Sequence, residues 1–122
     1  MAEFKTVAES FVTFYYQTFD TNRNALVPLY RDLSMMSWES QETQGAVNIV
    51  SKLVSLPFQK VSHKVATLDA QPLGTDGIVI SVTGQLLIDD ETNPQFYTQT
   101  FVLKAEGGNY YVSNDIFRLI YA

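Results

Sequence analysis

The stretch that decides the fold is GIVISVTGQLLI, residues 77–88. Its side chains alternate between two sets, of which one is aliphatic and the other mixes polar with apolar groups. The first set is Ile78, Ile80, Val82, Leu86 and Ile88, and the second is Val79, Ser81, Thr83, Gln85 and Leu87. A period of two indicates a β-strand, because successive side chains of a strand point to opposite faces. We therefore predict a strand with one face in a core.

Three further runs with this period surround the stretch. The predicted strands are Gln59 to Ala70, Gly77 to Asp89, Gln95 to Ala105 and Asn109 to Tyr121. The segments PLGTDG, DETNP and EGGN separate them, and their glycine, proline and short polar residues favour turns. The strands are about twice the usual five or six residues. We expect a curved antiparallel sheet in which bulges absorb the bend.

The residues before the strands predict three helical pieces. A long N-terminal helix is indicated by apolar residues that recur every three or four positions. These are Phe4, Val7, Ala8, Phe11, Val12, Tyr15 and Phe19. A short piece is predicted around Ala25 to Tyr30, where Pro28 is compatible with a helix only near its first turn. The segment SMMSWES, residues 34–40, predicts a brief extended stretch. A third helix follows Gly45, and Pro57 ends it.

Helices followed by a long antiparallel sheet predict an α+β fold. We expect the curved sheet to wrap around the long N-terminal helix and to leave a pocket at its open end. The chain has 122 residues, of which 46% are hydrophobic, and this is enough for one core. We therefore predict a single domain over residues 1–122.

Charge and composition exclude several classes of function. The chain carries 13 acidic and 8 basic residues, a formal charge of −5, so we expect no nucleic-acid partner and favour a basic protein surface. It has no cysteine, which excludes disulfides, thiolate metal sites and thiol catalysis. The start, MAEFKTVAESF, does not resemble a secretory signal, and no segment approaches the roughly 20 apolar residues of a membrane span. We expect no membrane insertion.

The last predicted strand, NYYVSNDIFRLIY, carries large apolar groups on both faces. One face holds Tyr110, Val112, Ile116 and Ile120, and the other holds Tyr111, Phe117, Leu119 and Tyr121. One core buries one face, and burial of the other at roughly 25 cal/mol per Å² favours association. We predict a homodimer packed through the sheet. The alternative is that a helix or loop of the same chain covers this face.

The sequence gives little indication of catalysis. His63 is the only histidine and is expected at the surface or rim, and no metal site or cofactor motif is present. Asp115, with His63 and Tyr15 or Tyr16, would form an acid and base set if all faced a pocket. The alternative for Asp115 is a hydrogen-bonded strand residue or a partner for Arg118.

A tryptophan and a group of acids suggest a binding rim. Trp38 is followed by Glu39, and the stretch GQLLIDDETNP ends a strand with Asp89, Asp90 and Glu91. An apolar hole lined by Trp38 and ringed by carboxylates suits a partner with an apolar anchor flanked by lysine or arginine. Core packing of Trp38 and a merely solvated acidic turn remain the alternatives.

Several segments, in order and at their spacing, closely resemble the nuclear transport factor 2 family, most of all its fungal members. They are SFVTFYYQTFDTNRNALVPLYR, GAVNIVSKLVSLPFQKVSHKV, DAQP, GQLLIDDETNPQ and NDIFRLIYA. The resemblance covers essentially the whole chain. It implies a cone-shaped fold in which a bent antiparallel sheet surrounds a long helix, and a dimer formed through the sheet.

The resemblance implies a nuclear import carrier that is not an enzyme. The family binds the GDP-bound form of the small GTPase Ran and contacts Phe-x-Phe-Gly repeats of nucleoporins. It is found in the cytoplasm and nucleus, with enrichment at the pores of the nuclear envelope. The alternatives are a small isomerase or dehydratase of the same fold and a dimerisation module without affinity for Ran.

The resemblance also implies site residues. The cavity for an aromatic side chain of Ran would be lined by Trp38, Phe117, Leu56 and Val61, and the rim acids would be Glu39, Asp89 and Glu91. The nucleoporin contact would be Phe4, the aromatic residue that aligns with a tryptophan near the N-terminus of animal members. The alternative for Phe4 is helix-end packing. The dimer contact would be Ile116. The family often has Asp-x-Asp where this chain has Asp89, Asp90 and Glu91, which leaves the partner of Glu91 open.

Overall fold

The structure, a computed structural model, describes residues 3–121. Within these residues, two α-helices, a 3₁₀ helix and six strands follow one another. They are α1 (Phe4–Thr21), the 3₁₀ helix (Arg23–Leu29), β1 (Tyr30–Trp38), β2 (Gln41–Gln44), α2 (Ala46–Val54), β3 (Val61–Leu73), β4 (Gly77–Ile88), β5 (Gln95–Glu106) and β6 (Asn109–Ile120). The four long predicted strands are confirmed with boundaries that shift by at most three residues.

The strands form one sheet in the order β2, β1, β6, β5, β4, β3. The pairs among β3, β4, β5 and β6 are antiparallel, as predicted, whereas β1 runs parallel to β6. The sheet is therefore mixed. Its one parallel pair forms because β6, which follows the three hairpins, lies beside β1 and runs in the same direction. Register shifts between Val65 and Thr67 and between Val102 and Leu103 interrupt the long pairings. Such shifts bend a strand, which is consistent with a curved sheet.

One core lies between the sheet and the helices. On the aliphatic face of β4, Ile78, Ile80, Val82 and Leu86 are buried and Ile88 at the strand end is half-buried, which confirms the predicted alternation. α1 places its apolar stripe on the same core, and its buried residues are Ala8, Val12, Tyr15, Tyr16 and Phe19. The α+β fold is confirmed, with a long N-terminal helix packed against the strands.

Two predicted local structures differ from the structure. The short helical piece is a 3₁₀ helix that begins at Arg23, and Pro28 lies near its end and not in its first turn. A 3₁₀ helix of this length lacks the continuous i to i−4 bonding that proline disrupts in an α-helix. The segment predicted to be extended, residues 34–40, covers the end of the nine-residue strand β1 and the turn after it, and β1 pairs with β2 and β6. Its parallel partner β6 lies near the other end of the chain, so local pattern alone underestimates the strand.

Within residues 3–121, no helix is long and apolar enough to cross a membrane. The same residues hold no group of three or more His, Asp or Glu side chains placed to bind a metal ion.

Candidate partner-binding site

One end of the sheet gathers most of the predicted site residues. The parallel pairing of Trp38 with Phe117 ends β1 beside β6, and the pairing of Val61 with Ile88 joins the start of β3 to the end of β4. Because β4 and β6 run in the same direction, both finish at this end of the sheet. The turns after β1 and β4 carry the predicted rim acids. Strand order therefore brings these acids to the same end.

An aromatic wall lies at this end. The Trp38 ring stacks on the Phe117 ring with centroids 4.0 Å apart and an angle of 4° between the planes. Phe117 in turn stacks on Tyr97 at 5.5 Å, and Phe19 of α1 lies 6.3 Å from Trp38, tilted by 11°. Phe117 is buried and Trp38 is half-buried. A flat apolar surface of this kind accepts an inserted ring or aliphatic chain.

Leu56 and Asp89 meet in a cleft of about 710 Å³. The other lining residues are Arg23, Val54, Pro57, Phe58, Gln59, Lys60 and Asp90. Val61 follows directly as the first residue of β3 and is buried. The cleft carries Arg23 and Lys60 as well as the two acids, so this part of the rim is mixed in charge, whereas a ring of negative charge was expected.

Glu39 is folded back onto β6. Its backbone has φ of 51°, and its N–H donates to the carbonyl of Phe117 at 3.1 Å. Its Oε1 accepts the backbone N–H of Leu119 at 2.6 Å, and its Oε2 accepts the Tyr121 hydroxyl at 3.0 Å. The hydrogen bond to Glu39 raises the pKa of Tyr121 above its ordinary value. The carboxylate is thus held at the end of β6, and Glu39 directly follows Trp38 in the chain.

Asp89 fastens the segment before β3. Its Oδ1 accepts the backbone N–H groups of Gln59 at 3.0 Å and Lys60 at 2.9 Å. The hydrogen bond from Lys60 N–H, followed by that from Gln59, lowers the pKa of Asp89 below its ordinary value. Asp90 and Glu91 lie in the same turn and are exposed. Asp89 therefore has a structural role in addition to any contact with a partner.

Phe4 lies at the start of α1, and Ile116 lies on the opposite face of the sheet from the aromatic wall. Phe4 begins α1, is half-buried and packs against the edge of the core. Ile116 is 50% exposed, because it points away from the core between the buried Asp115 and Phe117. Phe96 and Ile120, a cross-strand pair, are 54% and 51% exposed. Phe96, Ile116 and Ile120, called here the apolar strip, lie on the outer face of β5 and β6, with the exposed Arg118 between Ile116 and Ile120.

The family described as Nuclear transport factor 2 (NTF2) domain matches residues 7–119. The chain belongs to the nuclear transport factor 2 family. It is 60% identical to Nuclear transport factor 2 of Emericella nidulans over 99% of this chain and 98% of that protein. It is 54% identical to Nuclear transport factor 2 of Saccharomyces cerevisiae over 98% of this chain and 97% of that protein.

A solved structure shows the same fold. The structure of nuclear transport factor 2 from Cryptosporidium parvum has a TM-score of 0.92 and 43% identity, and the match covers 97% of this chain and 95% of that one. The predicted fold and the predicted family are therefore confirmed. The protein is a nucleocytoplasmic transport factor and not an enzyme.

The position of His63 differs from the prediction. It was expected at the surface or rim, but its side chain is 1% exposed. Its Nδ1 lies 2.6 Å from Oδ1 of Asp20, and its ring stacks on Tyr16 at 4.0 Å and 9°. Asp20 also accepts the backbone N–H of His63 at 3.0 Å. The partner lies 43 residues earlier at the end of α1, so the histidine pattern alone gave no sign of it.

Asp115 is a hydrogen-bonded strand residue and does not pair with Arg118. Its Oδ2 accepts the Tyr30 hydroxyl at 2.8 Å and the Tyr15 hydroxyl at 3.3 Å, and its Oδ1 accepts Nε2 of Gln99 at 2.8 Å. Burial raises the pKa of Asp115 to about 6, and burial also raises the pKa values of Tyr15 and Tyr30. His63 is bonded to Asp20, so His63 and Asp115 do not form the acid and base set considered above.

Sequence reasoning missed Arg23. Its guanidinium is half-buried and donates to the carbonyls of Leu53 at 2.9 Å and Phe58 at 3.0 Å. It also lies over the rings of Phe19 and Phe58, at 5.8 Å and 5.0 Å from their centroids. The segment FDTNRN indicates a turn, but nothing in it indicates which carbonyls a side chain 30 residues away will reach.

Proposed function

We propose that this transport factor carries the GDP-bound form of Ran into the nucleus. The observation that carries the proposal is the stacked pair of Trp38 and Phe117 at the same end of the sheet as the acidic turns. An aromatic side chain from the switch II region of Ran packs on this pair, with Leu56 and Val61 as further wall. Basic residues of Ran that flank this anchor face the carboxylates.

The rim acids are held in place before any partner arrives. Glu39 is fixed by Leu119 and Tyr121, and Asp89 is fixed by Gln59 and Lys60. Carboxylates that are already oriented lose less conformational entropy on binding, which favours affinity. Glu91 is exposed in the turn that Asp89 begins and contributes mainly to the attraction of a basic partner.

Selectivity for the GDP form follows from the placement of the switch segment. A partner is selected between two states only through contacts that differ between them. The cavity accepts the aromatic anchor when the switch II region stands in its GDP position, and it loses the anchor when GTP moves that region. Release in the nucleus then needs nucleotide exchange on Ran and no chemistry by this chain.

Passage through the pore rests on weak contacts with nucleoporins. Phe4, at the start of α1, packs against the phenylalanines of Phe-x-Phe-Gly repeats. A homodimer formed through the apolar strip that contains Ile116 presents each site twice, which raises the overall avidity without slow release from any one site. This accounts for the expected enrichment at the pores of the nuclear envelope.

Calorimetric titration tests the carrier proposal. The protein is titrated with Ran loaded with GDP and, separately, with a non-hydrolysable GTP analogue, and Glu39→Lys is titrated in parallel. We expect heat of binding with the GDP form alone and its loss in Glu39→Lys, because the substitution reverses a charge at the rim. Equal binding of both forms, or binding of neither, contradicts the proposal.

A further inference from the structure

The segment between α2 and β3, residues 55–60, connects the helix to the first long strand and is called here the connecting loop. It has no regular secondary structure, and it places Leu56 and Phe58 on one side of the cleft described above. Local bonds within it are few and include Phe58 N–H to the Leu56 carbonyl at 2.9 Å. Its position therefore depends on contacts from elsewhere in the chain.

Two side chains hold the connecting loop through its backbone groups. Asp89 accepts the N–H groups of Gln59 and Lys60. Arg23 donates to the carbonyl of Phe58 within the loop and to the carbonyl of Leu53 just before it. The Arg23 guanidinium also covers the Phe58 ring at 5.0 Å. Hydrogen bonds from a charged donor contribute more than neutral ones, and a partly buried guanidinium satisfies both carbonyls at once.

Arg23 also connects the loop to the aromatic wall. Its guanidinium lies 5.8 Å from the centroid of the Phe19 ring, and Phe19 stacks beside Trp38 at 6.3 Å. The same side chain thus contacts a neighbour of the wall and fixes the loop that carries Leu56. These are two separate parts of the predicted cavity.

We infer that Arg23 is a positioning residue for partner binding: it sets the distance between the connecting loop and the Phe19 and Trp38 side of the cavity. The inference rests on the proposed function, since it names a further determinant of the same site. Arg23 does not pair with the partner. It acts by keeping Leu56 and Phe58 in the arrangement that receives the anchor.

The charge of Arg23 separates its electrostatic effect on partner binding from its effect on the position of the loop. The partner surface is proposed to be basic, so a cation in the cleft opposes its approach, and removal of that cation by itself speeds association. Loss of positioning has the opposite sign, because a mobile loop must be ordered again when the partner binds. The two readings of Arg23→Ala therefore predict opposite changes in affinity for Ran loaded with GDP.

Kinetic binding measurements with Ran loaded with GDP test the inference on four proteins: the wild type, Arg23→Ala, Arg23→Lys and Lys60→Ala. Lys60 is an exposed cation in the same cleft, so Lys60→Ala is the matched control for charge. We expect Arg23→Ala to dissociate about tenfold faster, the scale of one lost charged hydrogen bond. Arg23→Lys should be intermediate, because lysine still donates but has no planar fork. Lys60→Ala should associate as fast as the wild type or faster.

Amide hydrogen exchange of the same proteins tests the role of Arg23 in holding the loop without requiring the partner. In Arg23→Ala we expect faster exchange at Gln59 and Lys60, whose N–H groups are bonded to Asp89 in the wild type. If the wild type binds Ran loaded with GDP but Arg23→Ala binds equally well or more tightly, the positioning role is wrong and the proposed function stands. If the wild type does not bind, the proposed function fails. Unchanged exchange at both amides also overturns the role of Arg23 in holding the loop.

Discussion

The ring of Trp38 lies flat on the ring of Phe117, with 4.0 Å between centroids and 4° between planes. The two residues are 79 positions apart in the sequence and are neighbours only because β1 pairs in parallel with β6. Phe117 is buried, so it supports the ring that is half-exposed above it. This pair forms a flat apolar surface at the end of the sheet that carries the acids.

Truncation of Trp38 should remove the principal apolar contact of the proposed cavity. We expect Trp38→Ala to weaken binding of Ran loaded with GDP by at least about 30-fold, since buried aromatic anchors at interfaces cost about 2 kcal/mol or more when truncated. Calorimetric titration measures the loss. Phe14→Ala is the control, because Phe14 is 53% exposed on α1 and away from the wall. Equal losses in the two variants contradict a specific role for Trp38.

The long strands of the sheet could be predicted from sequence because their evidence is local. Strands β3 to β6 alternate in apolar character and are joined by short turns, so each hairpin is marked by neighbouring residues. β2 has four residues and no apolar pattern, and the parallel pairing of β1 depends on a strand at the other end of the chain. Those parts of the fold were missed for this reason.

The predicted site residues were placed by resemblance, and their detailed roles needed the structure. Glu39 and Asp89 both accept backbone N–H groups, which a sequence of acids in a turn does not reveal. His63 was expected to be accessible, yet its ring is buried against Tyr16 and bonded to Asp20 at the end of α1. Arg23 was missed because its bonds go to carbonyls, and a carbonyl is present at every position of the sequence.

The acidic turn after β4 should speed the approach of a basic partner. We expect Glu91→Gln to slow the association of Ran loaded with GDP by about two- to fivefold at low ionic strength, with little change in the dissociation rate. The difference should shrink as salt is added, because exposed charges are screened. Stopped-flow kinetics at several salt concentrations measures both effects.

The control for Glu91 is Asp76→Asn, which removes the same charge from the β3 to β4 turn at the opposite end of the sheet. It should leave the association rate near that of the wild type. A rate for the wild type that does not depend on salt, or equal slowing by both variants, contradicts an acidic rim that attracts the partner.

A charge at Ile116 should separate the proposed dimer. Ile116 is half-exposed within an apolar strip that includes Phe96 and Ile120. We expect Ile116→Glu to sediment as a monomer, because a dimer formed through this strip would have to remove the new carboxylate from water. Val47→Glu is the control, since it adds the same charge at a 72% exposed apolar position on α2. An intact dimer in Ile116→Glu would refute this position for the interface.

Phe4 should contribute to nucleoporin binding and not to binding of Ran. We expect Phe4→Ala to weaken binding of a peptide with Phe-x-Phe-Gly repeats several-fold, through the lost apolar area, and to leave titration with Ran loaded with GDP unchanged. Because Phe4 packs against the edge of the core, thermal unfolding of the variant is measured alongside. A lower melting temperature with unchanged peptide binding would show that Phe4 serves helix-end packing alone.

Asp115 should make the stability of the protein fall as pH rises from about 4 to about 6. Burial raises the pKa of Asp115 from 3.8 to about 6 in the folded state. Well below pH 3.8 the carboxyl group is protonated in both states, so its ionisation does not change the stability. As pH rises through this window, the unfolded chain releases the proton first, so the folded state loses about 3 kcal/mol of relative stability by pH 7.

Asp115→Asn isolates this contribution. The amide keeps an acceptor for Gln99 and offers a donor to the Tyr15 and Tyr30 hydroxyls, and it does not ionise. Because other carboxylates change stability in the same window, the informative quantity is the difference in unfolding free energy between wild type and variant, measured in urea at pH 4, 5, 6 and 7. We expect this difference to move in favour of the variant as pH rises. Asp69→Asn, an exposed carboxylate on β3, should show no such trend. A constant difference between Asp115→Asn and the wild type would mean that Asp115 keeps the same charge in both states across this range.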